Sequence, residues 1–268
     1  MQIHPSAIVH PKASLADDVE VGPFCLIGEH VTIGTGTRLL SHVTVDGWTE
    51  IGERNELHPF VSIGGPPQHL GYKGEPTKVI IGHDNILREY VTVNRATVQG
   101  GGVTSLGSKN FLMAYVHVAH DCRLGNHLIM ANAASLAGHI TIGDYAIIGG
   151  LTGIHQHVRI GAYSMVGGCC ALGQDLPPFM RAAGGYRARM YGLNSVGLRR
   201  QGFSTDRISV LKRAYDMLFR SGHRTGEAAR LAKAEFGDQP DVMTVVGFLE
   251  GTKRGICRSV GKDQEDEE

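Results

Sequence analysis

The chain has 268 residues, and its 26 lysines and arginines are balanced by 26 aspartates and glutamates, which excludes the positive field of a nucleic-acid or membrane-surface binder. Its longest mostly apolar stretches, such as 145–154, are far shorter than the ~20 residues of a membrane-spanning helix, and the N-terminal residues lack a signal-peptide core. Five cysteines, an odd number without a C-x-x-C pair, argue against a disulfide framework and favour a reducing cytoplasm. From the charge, hydropathy and cysteines together, we expect a cytoplasmic protein with no membrane insertion and no nucleic-acid partner.

Aliphatic residues recur with a period of six along most of the chain. Stepping by six from Ile3 to Ile63 meets Leu, Ile or Val every time, and the phase returns over 81–93. After a shift of one residue it continues from Leu106 to Leu172, with one Met among the aliphatic residues. This period predicts very short strands joined by tight turns, each strand contributing one inward side chain. It is typical of a parallel β-helix of hexapeptide repeats, with three hexads in each 18-residue coil.

Two segments rich in glycine or proline interrupt the repeat, at 64–78 and at 99–105. Both are predicted to leave the solenoid as loops. Loops that leave a rigid scaffold at fixed coils are natural places for ligand contacts, although decoration without function is the alternative.

The repeat ends near Asp175, and a helical pattern follows. We predict a β-helical domain over 1–186 and a C-terminal helical domain over 187–268. Residues 199–224 concentrate basic side chains, whereas the tail after Lys262 is acidic, so the neutral total conceals two charged regions.

Three helices are predicted in the C-terminal domain. Ser204 and Thr225 are suitable N-caps for the first two, and Asp241 can start the third.

Residues 18 apart occupy the same face of adjacent coils, about 4.8 Å from one another. Stacking the hexads that start at Val118, Leu136 and Ile154 produces two predictions. The third hexad positions form a column of His120, Gly138 and Gln156. Five histidines converge on the same patch, namely His117, His120, His139, His155 and His157.

This patch has the composition of an acyl-transfer site. A neutral imidazole at His120 can take a proton from an attacking hydroxyl, and Asp121 can orient it if a turn brings the two side chains together. The backbone N–H of Gly138 is a candidate oxyanion donor. There are two alternatives: surface histidines without a role, and a metal site. The separation of the coils and the lack of an obvious carboxylate set disfavour the metal site.

Cys122 invites a nucleophilic role, but its hexad position otherwise holds small residues. We interpret it as a small inward side chain.

Longer motifs carry a resemblance to a known family. They are HVAHDC at 117–122, IHQH at 154–157, GYKGEPT at 71–77 and NSVGLRRQGFS at 194–204. Over essentially the whole chain these residues resemble the acyl-carrier-protein UDP-N-acetylglucosamine O-acyltransferases that begin lipid A synthesis. The resemblance implies a homotrimer of left-handed parallel β-helices with sites between subunits. It implies transfer of a 3-hydroxyacyl group from acyl carrier protein to the 3-hydroxyl of UDP-N-acetylglucosamine. We predict no metal and no cofactor.

The resemblance also implies roles for individual residues. His120 matches the general base, Asp121 the acid that assists it, and Gly138 the oxyanion donor. Gly168 matches the position that measures acyl-chain length. The remaining positions that match contacts to sugar, acyl chain, nucleotide or phosphate are Gln68, His117, His139, His155, Gln156, Asn194 and Arg200.

Three positions depart from the family pattern. His69 and Gly71 replace an acid and a lysine in the first loop, and Val196 replaces a glutamate near the nucleotide site. These departures leave open a sugar with an amine at carbon 3. A sibling N-acyltransferase of the same fold and a noncatalytic repeat scaffold are more distant alternatives.

Overall fold

A computed structural model of the chain describes residues 2–260, and the acidic tail after Lys262 lies outside them. The repeat folds as predicted, into a three-sided parallel β-helix whose strands of mostly two residues form three sheets. Strands pair with a register of 18 residues, as in Gln2 with Glu20. The register differs where a loop is inserted between coils, and in the last coil, where Met165 pairs with Arg181. A helical segment follows the β-helix.

Sheet A contains eleven strands in the described residues. They are β1 (Gln2–Ile3), β4 (Glu20–Val21), β7 (Arg38–Leu39), β10 (Glu56–Leu57), β13 (Ile86–Leu87), β16 (Phe111–Leu112), β19 (Ile129–Met130), β22 (Ile147–Ile148), β25 (Met165–Val166), β27 (Met180–Ala183) and β28 (Arg189–Leu193). All pairs in this sheet are parallel except β27 with β28.

Sheets B and C form the other two sides. Sheet B consists of β2 (Ile8–Val9), β5 (Leu26–Ile27), β8 (Thr44–Val45), β11 (Ser62–Gly65), β14 (Thr92–Asn94), β17 (His117–Val118), β20 (Ser135–Leu136), β23 (Gly153–Ile154) and β26 (Ala171–Leu172). Sheet C consists of β3 (Ser14–Leu15), β6 (Val31–Ile33), β9 (Trp48–Ile51), β12 (Lys78–Ile81), β15 (Val103–Leu106), β18 (Arg123–Leu124), β21 (Thr141–Ile142) and β24 (Arg159–Ile160).

The hexad aliphatics fill the interior. Leu57, Leu112 and Met130 are fully buried, and burial of each such side chain contributes roughly 1.5–3 kcal/mol. Ile3 remains 42% exposed because it lies in the first coil, where no earlier coil covers it.

Most corners place a residue in the left-handed backbone region, at the fourth position of the hexad. At the corner between sheets B and C these residues include Asp121, His139 and His157, with φ of 63°, 62° and 65°. The repeat imposes this conformation on residues other than glycine, at a cost of roughly 1–2 kcal/mol each.

Both predicted loops leave the solenoid at the B–C corner, with bounds that differ from the prediction. The first runs over 66–77, between β11 and β12, and the second over 95–102, between β14 and β15. The second loop was predicted to end at 105, but Val103 already pairs with Lys78 of β12. The parallel neighbour draws these residues into the sheet despite the glycines before them.

The C-terminal segment contains α1 (Ser195–Arg200), α2 (Thr205–Arg220), α3 (Thr225–Phe236) and α4 (Pro240–Glu250). Helix α1 is additional to the three predicted helices. The Ser204 side chain accepts a hydrogen bond from the N–H of Arg207 and caps α2 as predicted. None of the described helices has the length and apolar character that crossing a membrane requires.

Two of the predicted helix starts were wrong by one residue. Arg224 occupies the N-cap of α3 without a side-chain bond, and Thr225 is the first helical residue. Helix α4 begins at Pro240, which suits the first turn because proline has no N–H to satisfy. Asp241 instead pairs with Arg207 of α2.

Candidate active site

The HVAHDC motif forms strand β17 and the turn that leads from sheet B to sheet C. In this turn the Nδ1 of His120 lies 2.7 Å from Oδ2 of Asp121. Consecutive residues on a flat strand would point to opposite faces, but the left-handed backbone of Asp121 brings its carboxylate beside the imidazole. The turn therefore provides the cooperation between His120 and Asp121 on which the predicted general base depends.

The Asp121 side chain has no solvent exposure, and that of His120 is 10% exposed. Three hydrogen-bond donors surround the carboxylate: the backbone N–H of Thr97 at 2.9 Å, the hydroxyl of Thr97 at 2.7 Å and Nδ1 of His120. An ionised carboxylate only accepts hydrogen bonds, so Nδ1 of His120 carries a proton and Nε2 is free to act as a base.

His120 and Gly138 lie against each other on adjacent coils, as the predicted column requires. A Cβ at residue 138 would lie 2.6 Å from Cε1 and 2.9 Å from Nε2 of His120. Only glycine leaves room for the ring here. Within the described residues the N–H of Gly138 donates no hydrogen bond, so it is available to an oxyanion beside the imidazole.

A pocket of about 1050 Å³ opens in front of this pair. Its floor is the outer face of sheet B, formed by β17, β20, β23 and β26. Six of the predicted site residues line it, namely Gln68, His117, His120, Gly138, His155 and Gln156. The structure therefore gathers six of the eleven predicted site residues around one pocket, five of them on three successive coils.

Two neighbouring histidines have lowered pKa values. Burial lowers the pKa of His117 below its ordinary value of 6.5, and the nearby His120 adds to the effect. Its Nδ1 lies 2.7 Å from the hydroxyl of Thr92. Burial also lowers the pKa of His139, which stacks on His157 and lies outside the pocket lining, with Nε2 3.6 Å from Asp121. At neutral pH both rings are uncharged and can accept hydrogen bonds.

The ligand atoms of His120, Asp121 and His139 lie within 4.8 Å of one another, a spacing that could hold a metal ion. The sequence argument against a metal was the lack of an obvious carboxylate set, and the turn brings the single carboxylate of Asp121 into the patch. Both of its oxygens already accept hydrogen bonds. A metal bound to Asp121 at the ~2.0–2.2 Å that zinc requires would have to break these hydrogen bonds.

Cys122 is fully buried, as interpreted from its hexad position. Its thiol donates to the carbonyl of Ala137, and burial raises its pKa to about 12. The thiol is therefore inert as a nucleophile at neutral pH.

Three predicted site residues lie away from this pocket. A Cβ at Gly168 would lie 3.2 Å from the carbonyl of Gly150, at the corner between sheets A and B. Asn194 caps α1 and donates to the carbonyl of Tyr163. Arg200 is exposed in the last turn of α1, and Val196 of the same helix is 55% exposed.

The first loop reaches over the pocket. Gln68 lines it, and the ring of His69 meets that of His120 edge to face at 5.5 Å. Arg95 holds this loop, because its side chain donates to the carbonyl of Gly64 and to the hydroxyl of Tyr72.

Sequence reasoning missed several residues around the site. Thr97 contacts Asp121 from the second loop, and Arg187, Arg189 and Arg258 line the pocket. All of them lie outside the hexad period, so stacking by 18 residues could not place them.

Comparisons with known proteins agree with this architecture. Residues 175–257 match a family model described as UDP N-acetylglucosamine O-acyltransferase, domain 2. The chain is 55% identical over 257 residues to the acyl-(acyl-carrier-protein)–UDP-N-acetylglucosamine O-acyltransferase of Thermodesulfovibrio yellowstonii, covering 96% of this chain and 99% of that protein.

Two solved structures extend the likeness to the fold. LpxA from Acinetobacter baumannii is 44% identical with a TM-score of 0.94, covering 96% of this chain and 100% of that one. The Francisella novicida UDP-N-acetylglucosamine acyltransferase is 36% identical, also with a TM-score of 0.94, over 99% and 97% of the two chains. The predicted left-handed parallel β-helix with a small helical part is confirmed. On the identity and coverage of these relatives, the chain belongs to the acyl-carrier-protein UDP-N-acetylglucosamine O-acyltransferases.

Proposed function

We propose that this protein transfers a 3-hydroxyacyl group from acyl carrier protein to the 3-hydroxyl of UDP-N-acetylglucosamine, the first step of lipid A synthesis. The observation that carries the proposal is the buried His120–Asp121 pair, whose free imidazole nitrogen lies beside Gly138 in an open pocket. Relatives that are 47–55% identical bear the name of this activity, which favours the hydroxyl over the amine analogue and over the sibling N-acyltransferase.

The chemistry requires a base, an oxyanion donor and a leaving group. Nε2 of His120 removes the proton of the sugar hydroxyl as its oxygen bonds to the thioester carbonyl carbon. The N–H of Gly138 donates to the oxyanion that forms. The C–S bond then breaks, and the imidazolium returns its proton to the departing thiolate of the carrier protein.

Asp121 stabilises the imidazolium through the hydrogen bond at Nδ1 and holds the ring in one tautomer. Desolvation strengthens this interaction, because the carboxylate has no solvent exposure. We assign Asp121 to assisting the base, and no covalent enzyme intermediate is part of the mechanism.

We assign substrate contacts to the pocket residues around this pair. Gln68, His117, His155 and Gln156 surround the place where sugar and acyl chain meet. We also assign a substrate contact to His139, because its Nε2 lies 3.6 Å from Oδ2 of Asp121, beside the base. The pocket volume of about 1050 Å³ exceeds what a sugar requires and leaves room for an acyl chain.

We propose that the active unit is a homotrimer with each site shared between two chains. This assembly accounts for Gly168, Asn194 and Arg200, which lie on other faces of the chain than His120. A neighbouring chain would bring the nucleotide-binding and chain-measuring residues to the open side of the pocket. We place the reaction in the cytoplasm and assign it no cofactor.

Mass spectrometry of nucleotide sugars tests the function. The protein is incubated with a mixture of 3-hydroxyacyl carrier proteins, together with UDP-N-acetylglucosamine and its 3-amino analogue. We expect UDP-N-acetylglucosamine to gain one hydroxyacyl mass through an ester that mild alkali cleaves. Exclusive acylation of the 3-amino analogue would show that the amine, and not the 3-hydroxyl, is the acceptor. Acylation of neither sugar would refute the proposal.

A further inference from the structure

The second loop, 95–102, brings one residue onto the Asp121 carboxylate. The backbone N–H of Thr97 donates to Oδ1 at 2.9 Å, and its hydroxyl donates to Oδ2 at 2.7 Å. Thr97 is 3% exposed and Asp121 4% exposed, so water does not compete for these bonds. Hydrogen bonds to a buried charge are among the stronger polar interactions in proteins.

The two bonds fix the plane of the carboxylate. A carboxylate held at one oxygen can rotate, whereas Thr97 holds both oxygens of Asp121. In this orientation Oδ2 meets Nδ1 of His120 at 2.7 Å, which directs Nε2 toward the pocket. Thr97 therefore sets the orientation of the base through Asp121, without lining the pocket itself.

A competing partner makes this orientation consequential. Nε2 of His139 lies 3.6 Å from the same Oδ2 that accepts the hydrogen bond from His120. A small rotation of the carboxylate would exchange one histidine for the other. The Thr97 bonds hold Asp121 at His120.

The glycine run of the second loop is what allows Thr97 to reach the carboxylate. A Cβ at Gly100 would lie 2.0 Å from Oδ1 of Asp121, and the Gly100 N–H donates to the Thr97 hydroxyl at 3.2 Å. Gly101 and Gly102 take φ of 97° and 77°, which favour glycine. The loop closes with the N–H of Gly102 donating to the carbonyl of Thr97.

We propose that Thr97 is a positioning residue for acyl transfer, holding Asp121 so that His120 presents Nε2 to the substrate. The inference rests on the proposed function of the His120–Asp121 pair. It gives the second loop a defined role: the hydroxyl of Thr97 donates a hydrogen bond to the Asp121 carboxylate, and the glycines let the loop pack against that carboxylate.

Substitution of Thr97 tests the proposal. Thr97→Val keeps the shape and removes the hydroxyl, and we expect kcat to fall about 10-fold or more with little change in KM, because one bond to a buried charge is lost. Thr97→Ser restores the hydroxyl and should recover most of the turnover. The matched control is Thr37→Val, because the buried Thr37 hydroxyl also donates one bond, to Gly52, and accepts one, from Asn55.

A double-mutant cycle shows whether Thr97 acts through Asp121. We expect Asp121→Ala to lower kcat strongly and Thr97→Val to add nothing in that background. Two results would overturn the role of Thr97 and leave the catalytic pair standing. One is a double variant whose kcat loss is the product of the two single losses. The other is a Thr97→Val variant with wild-type kcat when Asp121→Ala is impaired. Full activity of Asp121→Ala would overturn the catalytic pair and this inference with it.

Gly100→Ala provides a second approach if Thr97→Val does not fold. The added methyl would press on Oδ1 of Asp121 and leave the Thr97 side chain intact. We expect a lower kcat with retained KM. Wild-type kinetics in this variant would contradict the proposed fit of the loop to the carboxylate.

Discussion

Asp121 illustrates how one backbone conformation assembles a site. Its φ of 63° belongs to the repeat, which places a residue in the left-handed region at almost every corner. At this corner the conformation brings a carboxylate within 2.7 Å of a histidine that precedes it in the chain. The same geometry at other corners carries aromatic side chains such as Tyr115 and charged ones such as Asp84 and Lys109, so the chemistry depends on which residues occupy the corner and its neighbours.

The pKa of His117 leads to a prediction on stability and pH. Burial lowers this pKa from 6.5 in the folded chain, so below about pH 6.5 the unfolded chain binds more protons than the folded one. The free energy that uncharged His117 contributes to folding is therefore fully present above about pH 6.5, and it is lost as the pH falls toward the pKa of the folded state. His139 contributes in the same direction.

We expect the midpoint of thermal unfolding to fall from about pH 7.5 to about pH 5.5, and to fall less steeply in His117→Gln. Differential scanning calorimetry measures both slopes. His4→Gln, at an exposed position of the first coil, is the control and should keep the wild-type slope. A slope in His117→Gln as steep as that of the wild type would contradict the assignment.

At the scale of elements, a ladder of buried asparagines fixes the corner between sheets C and A. Oδ1 of Asn55 accepts from the backbone and side-chain N–H groups of Asn85, and Oδ1 of Asn85 accepts from the N–H of Asn110. The N–H of Leu128 continues the ladder by donating to Asn110. These bonds tie successive coils where no strand ladder runs.

Removal of the middle rung should destabilise the β-helix. Asn85→Ala removes the side-chain partners of the Asn110 N–H and of the Gly107 carbonyl in a buried corner, and one of the two donors to Oδ1 of Asn55. We expect a loss of at least about 2 kcal/mol in the free energy of unfolding. Denaturant unfolding measures it. Asn132→Ala, at an exposed turn, is the matched control, and equal effects of the two variants would exclude a special role for the ladder.

The six-residue aliphatic repeat predicted the strands of the β-helix, but it could not predict loop ends or helices, which lie outside the repeat. Between the loops, the hexad strands lie where stacking by 18 residues places them, because an inward aliphatic is required at each one. The end of the second loop was misjudged, since pairing of Val103 with Lys78 outweighs the adjacent glycines. Helix α1 went unpredicted, because its six residues are too short for a helical apolar pattern.

The same distinction holds for the site. The column of His120, Gly138 and Gln156 followed from the period, and all three line one pocket. Thr97 and the pocket arginines come from loops and from the chain beyond the repeat, where sequence carries no fixed register. We retain residue 187 as the proposed start of the helical domain, shortly before β28, which runs antiparallel and leads into the helices.

At the scale of the whole molecule, the proposed trimer explains why the site residues are dispersed over one chain. His120 and Asp121 lie at the B–C corner, whereas Asn194 and Arg200 belong to the start and end of α1. A β-helix is rigid and cannot fold these groups together within one copy. Neighbouring copies can.

Complementation between inactive variants tests this sharing. His120→Ala and Arg200→Ala are expected to be impaired alone, and co-expressed mixed trimers should regain about a quarter of the sites, those with both residues intact. His120→Ala with Asp121→Ala is the matched control and should not recover, because both changes fall on the same chain's side of the site. No recovery in the first mixture would contradict a shared site.

The most direct test of the central claim compares the wild type with His120→Ala in acyl transfer to UDP-N-acetylglucosamine, followed by the mass of the product. With 3-hydroxyacyl carrier protein as donor, we expect the wild type to form the ester and His120→Ala to form it at least about 100-fold more slowly, with an unchanged fold by circular dichroism. A His120→Ala variant that is folded and as fast as the wild type would contradict the account.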